Sequence, residues 1–140
     1  MSFFARYFTA LDGPDPYSSL DMVADDLEFA IEWAPGPDRK SYQIRGGRAE
    51  LRAFIDSGER GEWAHYLLHS ATGDGAGGDG AGGDEAAGNR TEFALGETRR
   101  PGGERVATFV AVAELGDDGR MRRYLVARSP AIAFNAVHVK

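Results

Sequence analysis

From Glu104 to Arg128 the chain reads ERVATFVAVAELGDDGRMRRYLVAR, and the spacing of its apolar positions predicts two long strands joined by a tight turn. Val106 to Leu115 is rich in Val, Phe, Thr and Ala and contains no Gly or Pro, which suits a pleated, buried surface better than a helix. Gly116-Asp117-Asp118-Gly119 then supplies residues that tolerate positive φ and Asx-type hydrogen bonds, as a reversal between antiparallel strands requires. In the first strand Val106, Thr108, Val110 and Val112 share one face, and Arg105, Ala107, Phe109, Ala111 and Ala113 the other. Both faces are mainly apolar, so both are expected to be covered, one by the protein's own helices and the other by a partner. The return strand is expected to place Arg122, Tyr124, Val126 and Arg128 on one face and Met121, Arg123, Leu125 and Ala127 on the other. Two arginines flanking a tyrosine either line a polar cavity or form a solvated sheet edge.

Toward the N-terminus the period changes. Phe3, Phe4, Tyr7, Phe8 and Leu11 recur at helical spacing, predicting a helix over 2–12 that Gly13-Pro14 ends. Asp15 can cap a second helix over 16–24, with Pro16 in its first turn and Tyr17, Leu20 and Val23 on its buried face. Leu27, Phe29, Ile31 and Trp33 then alternate with Glu28, Ala30 and Glu32, the pattern of a half-buried strand. Residues 34–41 read as a loop. Gly46-Gly47 precedes a third helix over 47–57, with Gly58 at its C-cap. Trp63 to Thr72 and Arg90 to Arg100 read as strands, the second closed by Pro101-Gly102-Gly103. The order helix, helix, strand, helix, then four strands predicts an α+β domain whose antiparallel meander is covered by helices on one face. Gly73 to Asn89, GDGAGGDGAGGDEAAGN, holds no large apolar side chain and is expected to be a flexible loop.

Composition narrows the functional classes. The chain's 140 residues fit a single domain spanning 1–140, with a C-terminal tail at 129–140. A formal charge of −6 argues against nucleic-acid or anionic-membrane surfaces, which need clustered Lys/Arg. With no cysteine there is no thiol nucleophile, disulfide or cysteine metal site. The opening MSFFARYFTALDG has only short apolar runs and is not expected to be a signal peptide, so a cytoplasmic protein is the expectation. Gly46-Gly47 lacks the glycine spacing of a dinucleotide fold, and neither a phosphate-loop lysine nor a Gly-x-Ser-x-Gly elbow is present.

Taken in order, ARYFTALDG, VADDLEFAIEW, IRGGRAELRAFI, WAHYLLHSATGDG and FVAVAELGDDGRM resemble the SnoaL-like branch of the NTF2-like superfamily across nearly the whole chain. The resemblance implies a cystatin-like α+β cone: three helices from the N-terminal half packed on a strongly curved, mixed and mainly antiparallel sheet, enclosing a small-molecule pocket, often in a homodimer. Relatives include ketosteroid isomerases, polyketide cyclases, epoxide hydrolases, dehydratases and non-catalytic binding modules, so the fold does not choose the function.

Carried over residue by residue, the resemblance is more selective. Ketosteroid isomerases pair a general-base Asp with an oxyanion hole of a Tyr and a protonated Asp. Laid on that pattern, Tyr7 falls on the oxyanion tyrosine, but the base position falls on Ile31 and the second acid on Ala111. His65 is similar to the strand histidine that scytalone dehydratase presents to its cavity, where imidazole can shuttle a proton near neutral pH. Its alternative is an ordinary polar residue on the outer face. His69, at i+4, is expected on the same face, about 13 Å along a regular strand and too far to share one metal ion. Glu97, Arg122 and Arg128 are further charged residues that could face inward. The expectation is a cofactor-free and metal-free pocket for a small hydrophobic or aromatic molecule. Tyr7 and His65 are its candidate catalytic residues; Phe8, Phe29, Trp33, Phe54, Phe93, Phe109, Arg122 and Tyr124 complete its lining. A non-catalytic ligand-binding or dimeric module is the other reading.

Overall fold

A computed structural model describes residues 1–33, 42–58, 63–74 and 90–130, with only the backbone described at residues 33, 42 and 74. Helix α1, Phe3–Leu11, starts where the Ser2 hydroxyl accepts the Ala5 N–H at 3.2 Å, and its buried stripe is Phe3, Phe4, Tyr7, Phe8 and Leu11. The expected second helix is a shorter 3₁₀ helix, Pro16–Met22. There the Ser18 and Ser19 hydroxyls donate to the carbonyls of Asp15 and Pro16 at 2.8 and 2.7 Å, local bonds that favour the tighter winding. Val23, expected at the end of that helix, instead opens strand β1, Val23–Trp33.

Strand β2, Tyr42–Gly46, was not anticipated; at five residues on the sheet edge it is too short to show a period. Helix α2, Arg48–Ser57, begins with the Glu50 carboxylate accepting the Gly47 N–H at 2.8 Å and ends at Gly58 in the left-handed region, φ 74°. Strands β3 (Ala64–Asp74), β4 (Arg90–Arg99), β5 (Arg105–Leu115) and β6 (Met121–Ser129) complete one six-stranded sheet in the order β2-β1-β6-β5-β4-β3. Among the described residues every pairing is antiparallel except β1 with β6, so the sheet is mixed. Most of the Gly/Asp-rich stretch at 73–89 and the tail beyond 130 lie outside the described residues; Gly73 and Asp74 still pair with Thr91 and Arg90.

Two irregularities decide which side chains face the helices. Leu67 pairs with Gly96 and His69 with Leu95, leaving Leu68 as an extra residue. Leu115 pairs with Met121 and Glu114 with Arg123, leaving Arg122 as another. Each bulge reverses the alternation beyond it. The inner face therefore carries Phe29 and Ile31 of β1, Tyr124, Val126 and Arg128 of β6, Phe109 and Ala111 of β5, and His65 of β3. All of these except His65 are below a tenth exposed.

Gly96 shows how closely this face is packed. A Cβ there would lie 2.4 Å from the Tyr66 carbonyl oxygen and 2.7 Å from Cζ of Phe109. Since one of those atoms is backbone, Gly96→Ala is expected to cost about 3 kcal/mol, the upper end for overpacking, measured as a shift in the denaturant midpoint. A loss under about 0.5 kcal/mol, the size of an ordinary surface substitution, would contradict the close approach.

Candidate active site

Helices α1 and α2 meet the inner face of the sheet around a cavity of about 40 Å³. Its walls are Tyr7 and Leu11 of α1, Ile31 of β1, Leu51, Phe54 and Ile55 of α2, Trp63 and His65 at the start of β3, and Tyr124, Val126 and Arg128 of β6. Apolar side chains dominate and the polar groups are few and specific, the usual constitution of a small-molecule site.

His65 is held from two sides. The Asp12 carboxylate, at the C-cap of α1, accepts the His65 backbone N–H at 2.7 Å and faces ring atom Nδ1 at 3.0 and 3.1 Å. An ionised carboxylate only accepts, so the bond assigns the proton to Nδ1 and leaves Nε2 as the basic nitrogen of the neutral ring. The imidazole plane is fixed by aromatic rings: Phe8 stacks on it at 4.0 Å and 5°, and Phe109 and Trp63 meet it edge-on at 5.3 and 5.6 Å. The dyad is nearly buried, with side-chain exposures of 11% for His65 and 13% for Asp12, so its hydrogen bonds are little weakened by water.

Tyr7 is 1% exposed and packs edge-on against Tyr124, ring centroids 5.7 Å apart. Arg128 donates from Nη2 to the Thr98 hydroxyl at 2.9 Å, and its guanidinium carbon lies 4.4 Å from the centre of the Trp63 ring. Burial lowers its pKa to about 10, because the charged form loses hydration inside the protein.

The structure thus brings Tyr7, His65, Phe54 and Tyr124 to one cavity. Phe8, Phe29 and Phe109 lie in the core beside it, where Phe8 and Phe109 brace the His65 ring. The placement of Phe93 and Arg122 is corrected: Phe93 is 43% exposed on the outer face, and the bulge at Arg122 turns its side chain outward to Asp26 at 3.1 Å. The Trp33 side chain falls outside the described residues. His69 is corrected too, since the bulge at Leu68 places it opposite His65. Glu97 faces outward and pairs with Arg99 at 2.8 Å rather than entering the cavity. Open depressions on the outer side, such as the one between Asp26, Glu28, Glu114, Arg122 and Arg123, are lined by exposed ion pairs, which are solvated and weak.

Sequence reasoning missed Asp12, Trp63 and Thr98. For Asp12 a signal existed: a carboxylate at a helix C-terminus opposes the helix dipole, so its presence calls for a compensating donor. The donor, His65, lies 53 residues away, and nothing local names it.

This architecture, an open mixed sheet wrapped on helices over an interior cavity, is an α+β cone of the NTF2-like fold. Among solved structures the chain is similar to a proposed isomerase of the SnoaL-like family from Agrobacterium tumefaciens, with TM-score 0.59 and 16% identity over 90% of this chain and 93% of that one. It is also similar to IdmH, a proposed polyketide cyclase from Streptomyces antibioticus, with TM-score 0.58 and 12% identity over 97% and 96% of the two chains. A third likeness is to SalBIII, an epoxide hydrolase/cyclase-like enzyme of pyran ring formation in the polyether salinomycin, with TM-score 0.53 and 18% identity over 90% and 87%. No family model and no curated protein sequence matches the chain. Among the described residues no helix is long and apolar enough to cross a membrane.

Proposed function

We propose that the interior cavity carries out cofactor-independent acid–base chemistry of the isomerase, cyclase or dehydratase type on a small hydrophobic substrate. The observation that carries this reading is the Asp12–His65 dyad on the wall that also presents Tyr7. In the simplest cycle, Nε2 of His65 takes a proton from carbon next to a substrate carbonyl. The C–H electron pair moves toward the carbonyl oxygen, and the Tyr7 hydroxyl donates a hydrogen bond to the resulting oxyanion. Asp12 stabilises the imidazolium, which returns its proton to a different carbon, to the leaving oxygen or to the same carbon. The acids of the ketosteroid isomerase pattern are absent, with Ile31 and Ala111 in their places, so His65 is the base in this scheme.

The test is deuterium uptake by small enolisable ketones and 1,3-dicarbonyl compounds in D₂O, followed by NMR with the protein as the sole addition. Exchange above the buffer rate is expected for at least one compound. Exchange at the buffer rate across the series would leave the second reading, a non-catalytic ligand-binding or interaction module, as the better account.

A homodimer through the outer face of the sheet is part of the proposal. Ala30, Leu125, Val112, Phe93 and Ala71 lie side by side across five strands, and in the adjoining row Ala127, Val110 and Leu95 do the same. Leu125, Val110 and Phe93 are 59%, 48% and 43% exposed, an apolar band of the kind that marks association. Light scattering at micromolar concentration is expected to give twice the chain mass, and Leu125→Glu to return the monomer. A strict monomer for the unaltered chain would count against it.

A further inference from the structure

The interior cavity has one wall that the sheet fixes and another that α2 supplies. Ile31 and Val126 line it from β1 and β6, and each sits between two paired strands: Ile31 is opposite Ile44 and Val126, and Val126 is opposite Ile31 and Ala111. Ladder pairing on both sides holds these positions, and a close-packed interior yields little to a ligand. The α2 wall is Leu51, Phe54 and Ile55, one side of the helix at i, i+3, i+4 spacing, with Leu51 and Ile55 only 3% and 8% exposed.

Helix α2 is also tied down along its length to the 3₁₀ helix. Arg48, its first residue, donates from Nη2 to the Leu20 carbonyl at 3.2 Å. The Arg52 guanidinium carbon lies 5.0 Å from the centre of the Tyr17 ring, and the Tyr17 hydroxyl donates to the carboxylate of Asp56, one residue before the helix ends. Each contact is modest alone, but together they anchor the first, middle and last turns. The width of the cavity is therefore set by the side chains at 51, 54 and 55 and not by where the helix lies.

We infer that the cavity selects by size, taking a short-chain carbonyl compound such as a four-carbon ketone and excluding ring ketones, with Leu51 and Ile55 as the residues that set the limit. The volume of about 40 Å³ has room for roughly three water molecules, which corresponds to a ligand of about three to five heavy atoms. 2-Butanone is at that limit; cyclohexanone exceeds it and the fused rings of 2-tetralone exceed it further. A larger ligand has to displace side chains packed against an anchored helix or a paired strand, and such overpacking is unfavourable. This selection rests on the cavity being the ligand site, as proposed above, but not on its being catalytic.

Titration of the full chain with 2-butanone, cyclohexanone and 2-tetralone, followed by ¹H–¹⁵N NMR at the His65 backbone amide, tests it, because that amide borders the cavity and does not report binding on the outer face of the sheet. Transfer from water alone favours each added methylene by about fourfold, so an open apolar surface binds the larger ketones tighter. The opposite order is expected here, with 2-butanone at least about tenfold tighter than cyclohexanone and no saturable shift from 2-tetralone. Leu51→Ala is expected to bring cyclohexanone at least to the affinity of 2-butanone, and Ile55→Val to move the ratio the same way by about fourfold, the worth of one methylene. Circular dichroism establishes that each variant folds; where Leu51→Ala does not, Ile55→Val and the order in the unaltered chain decide. Affinity that rises with ketone size, no saturable binding of 2-butanone, or a size order unmoved in the folded variants would each overturn the inference. Deuterium exchange that is faster on the larger ketones removes only this inference, whereas the expected size order without exchange removes only the catalytic reading.

Discussion

Phe109→Ala is expected to destabilise the protein by about 3–5 kcal/mol, among the largest effects any single substitution here should produce. Phe109 is 2% exposed and reaches from β5 into the densest part of the core. Its ring meets Phe8 at 5.4 Å and 76° and His65 at 5.3 Å and 81°, and it fills the space that Gly96 leaves by lacking a Cβ. Truncation loses the transfer free energy of the ring and leaves a void that the neighbouring strands, fixed by ladder hydrogen bonds on both sides, cannot close. Urea unfolding followed by tryptophan fluorescence should show a lower midpoint with an unchanged slope. A loss below about 1 kcal/mol would mean that the site collapses around the smaller side chain. Because the same ring braces the imidazole, the variant should also lose orientation of His65, an effect separable from stability by assaying well below the melting temperature.

The second large effect is catalytic. On any substrate that shows turnover, His65→Ala is expected to lower kcat by about 10²–10⁴-fold, the range that a positioned general acid–base group contributes. Asp12→Asn is expected to reduce it less, because the ring keeps its stacking on Phe8 and its edge contacts with Phe109 and Trp63. What Asn loses is the stabilised imidazolium, and one of its two contacts becomes an N–H facing a donor, since the carboxylate now receives both the backbone N–H and Nδ1. Steady-state rates on both variants, with folding verified by circular dichroism, check the order. Turnover unchanged in His65→Ala would remove the imidazole from the mechanism, and a larger loss in Asp12→Asn than in His65→Ala would reverse the assigned roles.

Every element of this fold except β2 and the exact extent of the 3₁₀ helix is legible in the sequence, because each rests on a period that a few neighbouring residues can carry. The aromatic stripe from Phe3 to Leu11 makes α1, the alternation from Leu27 to Trp33 makes most of β1, and the mainly apolar run from Val106 to Leu115, free of Gly and Pro, makes β5. Tyr7, Phe54, His65 and Tyr124, expected at an interior pocket, line one cavity.

Where the structure departs from the sequence expectation, the strand register is irregular. Arg122 was paired with Tyr124, and His69 with His65, by counting twos along strands that each contain one extra residue. A bulge leaves little trace in composition; it is fixed by how a strand meets its neighbours, and so belongs to the sheet and not to the segment. The same is true of Asp12 with His65, 53 residues apart, and Arg128 with Thr98, 30 apart. Sequence alone determined most of the stretches that become helix and strand, β2 excepted, and that one face of the sheet would be apolar and inward. Only the tertiary structure decided which polar groups meet there, because closing the sheet onto α1 and α2 sets distances between side chains that no local period encodes.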